Sequence, residues 1–278
     1  GNLRNAYMLA LPLIGIWSLL TITEGSHFAI SMFGYGLSPV RIDSLSLLFG
    51  YIFHIAAIIS IIYAFHIKDT VQQMAGLIYA GSAIGGAFAG DLITLFVYWE
   101  GTAIASVFLI WSSKTESSYR AGMRYLIIQV GSGVLLLAGA IIHFKQTGSI
   151  AFDKLGLTGL GPALIFVAFG IKAAFPLLHN WLTDSYPEAT ITGTVFLSAF
   201  TTKLAIYALA RGFPGTEILI WIGALMTAFP IFYAVIENDL RKVLAYSINV
   251  QLGFMVVGVG IGTELALNGT AAHAFAHI

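Results

Sequence analysis

The stretch FGIKAAFPLLHNWLTDSYPEATITGTVFLSAFTTKLAIY, residues 169–207, decides how the rest of the chain is read. It sets two lysines, Lys172 and Lys203, each near the middle of a long apolar segment. Between them lie Pro176, His179 and a short polar turn. A lysine at bilayer mid-depth costs about 2.5–3.5 kcal/mol on insertion scales, so its presence there calls for a reason. In a helix the missing N–H of Pro176 would have bonded the carbonyl four residues back, that of Lys172 itself. One lysine is therefore expected beside an unpaired backbone carbonyl at a helix break. Irregular backbone at membrane depth is tolerated only inside protein or beside a water-filled cavity. The expectation is a hydrated, ion-handling pathway.

Composition sets the class. Of 278 residues 58% are hydrophobic and only 9% charged, and mean hydropathy is +0.88. Soluble domains carry about 25% charged residues, so the chain reads as a polytopic, all-α transmembrane bundle. Thirteen basic residues balance 13 acidic ones, which gives no electrostatic footprint for nucleic acid. There is no cysteine, which removes thiolate-held clusters, Cys-type zinc sites and disulfides within this chain. No cofactor and no metal are expected. Without an initiator Met, and ending inside an apolar run, the sequence reads as a piece open at both ends.

A helix needs about 20 apolar residues to cross the hydrocarbon core. Spans are expected over 3–20, 44–66, 71–89, 92–111, 121–144, 161–182, 190–211, 217–236 and 243–262, with a tenth starting near Leu265. Segments 21–43 and 145–160, rich in Gly, Ser and Thr, read as surface loops. Gly90-Asp91 is tight enough to force an antiparallel pair. Arg4, Lys68, Lys114, Arg120, Arg124, Arg241 and Lys242 fall on one side; Arg41, Lys145, Lys154 and Arg211 fall on the other. The bias makes the first side cytoplasmic. Frequent glycines within the spans read as close helix packing.

Glu100 is the only ionisable residue of its span, and its apolar helical neighbours Phe96, Ile104, Ile93 and Val107 leave its partner to another helix. Lys172 is the natural candidate. A carboxylate and an ammonium keep each other charged, and separation in low dielectric favours neutral forms. A pair that opens and closes would be a proton switch; the plainer reading is a static pair fixing helix register. Lys203 has no local acid. It reads as a relay sharing a proton with Lys172 through water, or as a snorkelling side chain. The hydroxyls of Thr194, Ser198 and Thr201 point away from it and read as a packing face. His179 could carry a proton past the break or be structural; His54 reads as structural. His273 and His277 share a face at i, i+4 with no third metal ligand in view, so a proton-relay pair is the preferred reading. Asp184, Glu188, Glu237 and Asp239 read as solvated helix-end acids. None of these residues is expected to do covalent catalysis.

The runs LITLFVYWE (92–100), FGIKAAFPLLHNWLTDSYPEATITGTVFLSAFTTKLAIYAL (169–209) and ENDLRKVLAYSINVQLG (237–253) resemble the antiporter-like subunits of respiratory complex I. The same family includes the large subunits of Mrp-type sodium/proton antiporters and of membrane-bound hydrogenases. The resemblance covers most of residues 71–278, and TGTVFLSAFTTK is similar to Mrp-type D subunits. It implies a fold of about 14 helices built from two inverted five-helix repeats with broken helices. Residues 1–70 would be N-terminal helices, 71–211 the first repeat with its proton half-channel, and 217–278 the truncated start of the second. It also implies proton-pathway roles for Glu100, Lys172, Lys203, His273 and His277. The implied function is cation/proton antiport within a hetero-oligomeric complex in the bacterial plasma membrane, with other membrane subunits, the lipid bilayer, protons and sodium as partners. The chain would not be an enzyme alone. The alternative is a proton-pumping membrane-arm subunit of an NADH:quinone oxidoreductase or a membrane-bound hydrogenase. A quinone-reducing redox subunit is disfavoured by the lack of cysteine and of a haem-type histidine pair, and a dead scaffold by the three midplane charges.

Overall fold

The computed structural model describes residues 2–32 and 34–278. Twelve helices run through it: α1 (Asn2–Thr21), α2 (Ser44–Tyr63), α3 (Thr70–Phe88), α4 (Leu92–Trp111), α5 (Glu116–Thr147), α6 (Leu160–Lys172), α7 (Asn180–Ser185), α8 (Ile191–Ala199), α9 (Thr201–Gly212), α10 (Ile218–Ile236), α11 (Leu240–Ile261) and α12 (Glu264–His277). Short polar residues start most of them. Asp43, Asp69, Asp91, Thr115, Thr190, Asp239 and Thr263 each accept a backbone N–H of the first turn, satisfying donors that lipid cannot. Among the described residues seven helical segments are long and apolar enough to cross a membrane: α1, α2, α4, α5, the α8–α9 pair, α10 and α11.

Three expectations change. The fifth span is longer than the apolar run alone indicates, because a Thr115–Ser118 capping box starts α5 at Glu116 and left-handed Gly148 ends it. The sixth is split: α6 stops at Lys172, and α7 resumes only at Asn180. The seventh is split as well, at Phe200, between α8 and α9. The 21–43 loop holds two small antiparallel pairs, β1 (Gly25–His27) with β4 (Val40–Ile42) and β2 (Ile30–Met32) with β3 (Tyr35–Leu37).

Helix α9 is the centre of the bundle. Every residue from Thr201 to Ala210 is buried, with α3, α6 and α11 packed around it. Consecutive helices pack as neighbours, α3 on α4, α4 on α5, α5 on α6 and α10 on α11. Small residues bring backbones together where they cross. A Cβ on Gly223 would strike the Gly253 carbonyl, and one on Gly253 the Gly223 carbonyl, so α10 and α11 touch main chain to main chain. Helices α1 and α10 turn Trp17, Leu20, Trp221 and Phe232 outward, as a membrane face allows.

The two polar ends are organised differently. On the side of the α1 N-terminus, Arg4 donates to the carbonyls of Ile67 and Lys68, Lys114 pairs with Asp69, and Arg124 grips Asp184 with two bonds of 2.8 Å. On the other side Arg211 makes a two-pronged pair with Asp43, 2.7 and 2.8 Å. Arg41 there joins Asp153 and the Phe152 carbonyl. The 145–160 loop is pinned by Leu92 N–H to Ile150 O and Phe152 N–H to Gly90 O. Burial pushes the Asp43 carboxyl up, but the Arg211 hydrogen bonds, the Ser46 N–H and the Arg211 and Arg41 charges outweigh it and hold it below the ordinary value. Its contribution to stability is complete above the unfolded value of about 3.9 and is lost as pH falls through the lower folded value.

Two outcomes are expected. Cysteines placed singly at Ser113 and Asn238 should label from one face of the membrane, and one at Gly156 from the opposite face; labelling of all three from the same face contradicts this arrangement. Asp43→Asn should lower thermal stability at neutral pH by about 1 kcal/mol, allowing for partial exposure. It should also flatten the stability loss that the parent chain shows below about pH 4, in melts recorded across pH.

Candidate functional site

The site is built where α6 ends against α4. Along α4 the helical period sets Trp99, Thr102 and Ser106 on one stripe and turns Glu100 toward α5. Lys172, the last residue of α6, is fully buried. Its Nζ donates to the Trp99 carbonyl and to Thr102 Oγ1, both at 2.6 Å, and lies 4.5 Å from the centre of the Trp99 ring. The ring is clamped in turn. Trp99 Nε1 donates to Ser132 Oγ at 2.9 Å, and Ser132 Oγ donates to the Ala168 carbonyl at 2.8 Å. The ammonium is therefore held by a carbonyl, a hydroxyl and an aromatic face.

Glu100 packs its carboxyl onto α5 at Gly133, where a Cβ would occupy the place of Glu100 Oε1. That oxygen is buried and has no hydrogen-bond partner among the described residues. No ion pair joins Glu100 to Lys172 among them; the lysine instead binds one residue before the glutamate and two after it on the same helix. The direct contact expected from the sequence is thus not formed, because the stripe of α4 that meets α6 is that of Trp99 and Thr102. The acid and the ammonium are neighbours without being partnered.

Around Pro176 the backbone is irregular from Ala173 to His179. Phe175 N–H reaches back to the Gly170 carbonyl, and Ala174 (φ 60°) and Leu177 (φ 68°) are left-handed. Pro176 lies inside this break, which opens directly after Lys172, four residues before the proline. An alanine at 176 would supply an N–H yet leave those two left-handed residues in place. Pro176, His179, Asn180, Phe229, Tyr233 and Tyr246 border a cleft of about 410 Å³ between the break and α10–α11. His179 Nδ1 is buried there without a partner among the described residues.

The second break has no proline. The Tyr79 hydroxyl of α3 enters the ladder between α8 and α9, accepting Thr201 N–H at 2.9 Å and reaching the Leu197 carbonyl at 3.3 Å. A side chain inserted in the i→i−4 ladder is one of the few causes of a sharp kink. Lys203, fully buried, donates Nζ to the next carbonyl, Ser198 O, at 2.7 Å. Lysine and tyrosine thus occupy consecutive carbonyls of one break. The side chain of Ser198 points elsewhere, to Val195 O; it is the main chain of that residue that meets the lysine. Tyr186 braces the same turn from outside through Leu197 O at 2.7 Å.

The histidines are dispersed. His273 Nε2 sits 2.8 Å from Gln251 Oε1 and stacks on His277, ring centres 6.4 Å apart; His277 Nδ1 is buried without a partner among the described residues. His54 bonds the Gly50 carbonyl of its own helix. Among the described residues no three His, Asp or Glu stand close enough to hold a metal ion. Sequence reasoning named the charges and missed what receives them: Trp99, Thr102, Tyr79 and the Ser198 carbonyl. The 99–102–106 stripe was there to be read, because it is polar and helically spaced; Tyr79 carried no such mark.

The fold and this array of buried lysines at helix breaks define a multi-pass, antiporter-like membrane protein. The chain belongs to the transmembrane family described as NADH:quinone oxidoreductase/Mrp antiporter, whose model matches residues 89–278. It is 32% identical over 220 residues to the D subunit of the Na(+)/H(+) antiporter of Alkalihalophilus pseudofirmus, covering 71% of this chain and 44% of the relative. It is 31% identical over 223 residues to the N subunit of the NADH-quinone oxidoreductase of Desulforudis audaxviator, covering 72% and 44%. The chain spans about half the length of the curated relatives it matches. Its fold matches the Mrp complex from Dietzia sp. with TM-score 0.88 at 24% identity, over 99% of this chain and 33% of that one. It matches respiratory complex I from Thermus thermophilus with TM-score 0.81 at 22% identity, over 98% and 64%.

Gly133→Ala should drive the Glu100 carboxyl off α5 and lower thermal stability, whereas Gly131→Ala, which meets open space, should leave it unchanged. Equal melting temperatures of both variants would show that the seat of Glu100 does not matter.

Proposed function

We propose that the chain is a proton-translocating, antiporter-like membrane subunit, exchanging a cation for protons within a hetero-oligomeric complex of the bacterial plasma membrane. The observation that carries this reading is Lys172. A fully buried ammonium rests on a carbonyl and a hydroxyl at a helix break, beside a glutamate whose buried oxygen is unpartnered. In a low-dielectric interior such an ammonium keeps its proton only while acceptors or a counter-charge remain in reach. Movement of Glu100 toward or away from Lys172 then decides whether the lysine holds or releases a proton. The cleft at Pro176 and His179 supports entry at the first break, and Lys203 at the second break is the next station. Residues 71–211 would form one inverted repeat with its half-channel, and 217–278 would open the second, where His273 and His277 lie. The relative from the Na(+)/H(+) antiporter favours sodium as the exchanged cation. The M and N relatives from NADH-quinone oxidoreductases favour a second reading, a proton-pumping membrane-arm subunit of such a complex. In both, the chain contributes electrostatics and hydration and no covalent chemistry.

In the complete complex, Glu100→Ala and Lys172→Ala should each lower transport by about 10²-fold or more while assembly persists. The double variant should be little worse than either single one, because coupled residues are not additive. Glu100→Asp should retain partial activity. Lys203→Arg should fail nearly as badly as Lys203→Ala, since a guanidinium does not give up its proton in this range. Proton uptake into vesicles, read with a pH-sensitive dye, checks each; normal uptake by Glu100→Ala would refute the switch. Dependence on added NADH and quinone rather than on sodium selects the second reading.

A further inference from the structure

The last turns of α5 border a second kind of space. Leu137, Ala140, Ile141, Phe144 and Lys145 fall on one stripe of the helix, at the helical period. With Ile93 of α4 and the β2–β3 pair at Met32 and Tyr35, they border a groove of about 370 Å³. From Leu137 to Lys145 the stripe runs about 12 Å along the axis. Among the described residues the lining side chains are apolar except for Lys145 and the Tyr35 hydroxyl. The groove opens outward: Ile141 is exposed and continues the exposed line of Ile127 and Val134, so this face of α5 is turned away from the bundle. Lys145 lies just past the apolar run VLLLAGAII, residues 134–142. The groove therefore begins at headgroup level and descends into the hydrocarbon. Tyr35, whose ring meets Phe144 edge-on at 5.1 Å, is a residue type enriched at that level. Lys145 is exposed and makes no ion pair among the described residues. Acids of the adjoining elements are engaged elsewhere, Asp153 by Arg41 and Asp91 by the N–H groups of Ser38, Ile93 and Thr94.

We propose that the groove between α5 and the β2–β3 pair is a binding site for an anionic phospholipid, one acyl chain lying along Leu137–Phe144 and the headgroup phosphate paired with Lys145. Charge and shape both select this occupant. The apolar stripe covers a hydrocarbon chain, and the unpaired ammonium at its upper end meets the charge that such a chain carries in a lipid. A soluble anion would leave the apolar wall uncovered. A helix of another subunit, about 10–12 Å wide with its side chains, does not enter a groove of this volume. A cation in the last turn of α5 suits the helix dipole by itself, which accounts for the lysine and not for the groove beneath it. The site uses none of the residues of the proposed proton path and does not depend on it. Its effect would be to fill the gap between α5 and the hairpin, at the end of the bundle where the 145–160 loop is pinned.

The test uses the complete complex in phosphatidylcholine vesicles that contain a trace of photoreactive lipid. The probe is phosphatidylglycerol or phosphatidylcholine with a diazirine in one acyl chain, and labelled peptides are read by mass spectrometry. The phosphatidylglycerol probe should label residues 137–144 about fivefold more than the phosphatidylcholine probe, the preference that one lysine near an anionic headgroup gives. Lys145→Gln should bring the two probes level, while Lys154→Gln, a loop lysine outside the groove, should keep the preference. Ile141→Trp fills the groove and should remove labelling by both. Equal labelling of the wild-type complex by the two probes overturns the site, since the groove would then hold only bulk lipid. So does a preference that survives Lys145→Gln, or one lost equally in Lys154→Gln. Absence of label from residues 137–144, with label on another subunit instead, also overturns it, because a protein would then cover the groove. Should Ile141→Trp fail to assemble, the surface change Lys145→Gln decides the matter alone.

Discussion

An ammonium without water has to be received by something, and the structure is arranged around what receives Lys172. Ion pairing with Glu100 would have been the strongest solution at rest, but a closed buried pair is also hard to open. Here the lysine rests on the Trp99 carbonyl and the Thr102 hydroxyl, acceptors that are adequate and neutral. Glu100 stands at the adjacent position with an oxygen still free. The arrangement buries the lysine amine among neutral acceptors, with a carboxyl group on the neighbouring residue of the same helix. The glycine at 133 is part of the same design, because any larger residue would take the space in which that carboxyl sits.

Both lysines lie where a helix is interrupted, and the two interruptions are made by different means. At the first, a proline and two left-handed residues unwind the chain between α6 and α7. At the second, a tyrosine from a different helix is driven into the backbone ladder of a segment that has no breaking residue. At the second break Lys203 takes up the Ser198 carbonyl, whereas the acceptors of Lys172, the Trp99 carbonyl and the Thr102 hydroxyl, belong to the unbroken α4. Broken backbone in a bilayer is permitted only where protein or water completes it, and at the second break Lys203 completes part of it.

Ion pairs and loop contacts tie the two ends of the bundle. The Arg211–Asp43 and Arg41–Asp153 pairs, with the 145–160 loop bonded across Gly90 and Leu92, tie α2, α4 and α9 together at one end. At the other end the pairs of Lys114 with Asp69 and of Arg124 with Asp184 are more exposed, and Arg124 and Asp184 line a second cleft with Asn180 and Tyr246. Main-chain contact of α10 with α11 through Gly223 and Gly253 fixes a separate block beside the cleft. The short α7 is itself held, by Arg124 on Asp184 and by Trp181 Nε1 on the carbonyl of Ile171, the residue before Lys172.

The sequence by itself determined the membrane class, nearly every span, the two side-specific sets of basic residues, and the identities of Glu100, Lys172 and Lys203. These follow from hydrophobic length and from the cost of charge in lipid, which are properties of single segments. It also marked the first break, because proline acts on its own backbone. Tertiary structure alone decided that α9 is the central helix, that Phe200 interrupts what reads as one span, and that Lys172 rests on Trp99 and Thr102 with Glu100 beside them. The reason is physical. A hydrogen bond across helices depends on which stripe of each helix faces the other, and a tyrosine that breaks a ladder does so in a segment more than 100 residues away from itself in the chain.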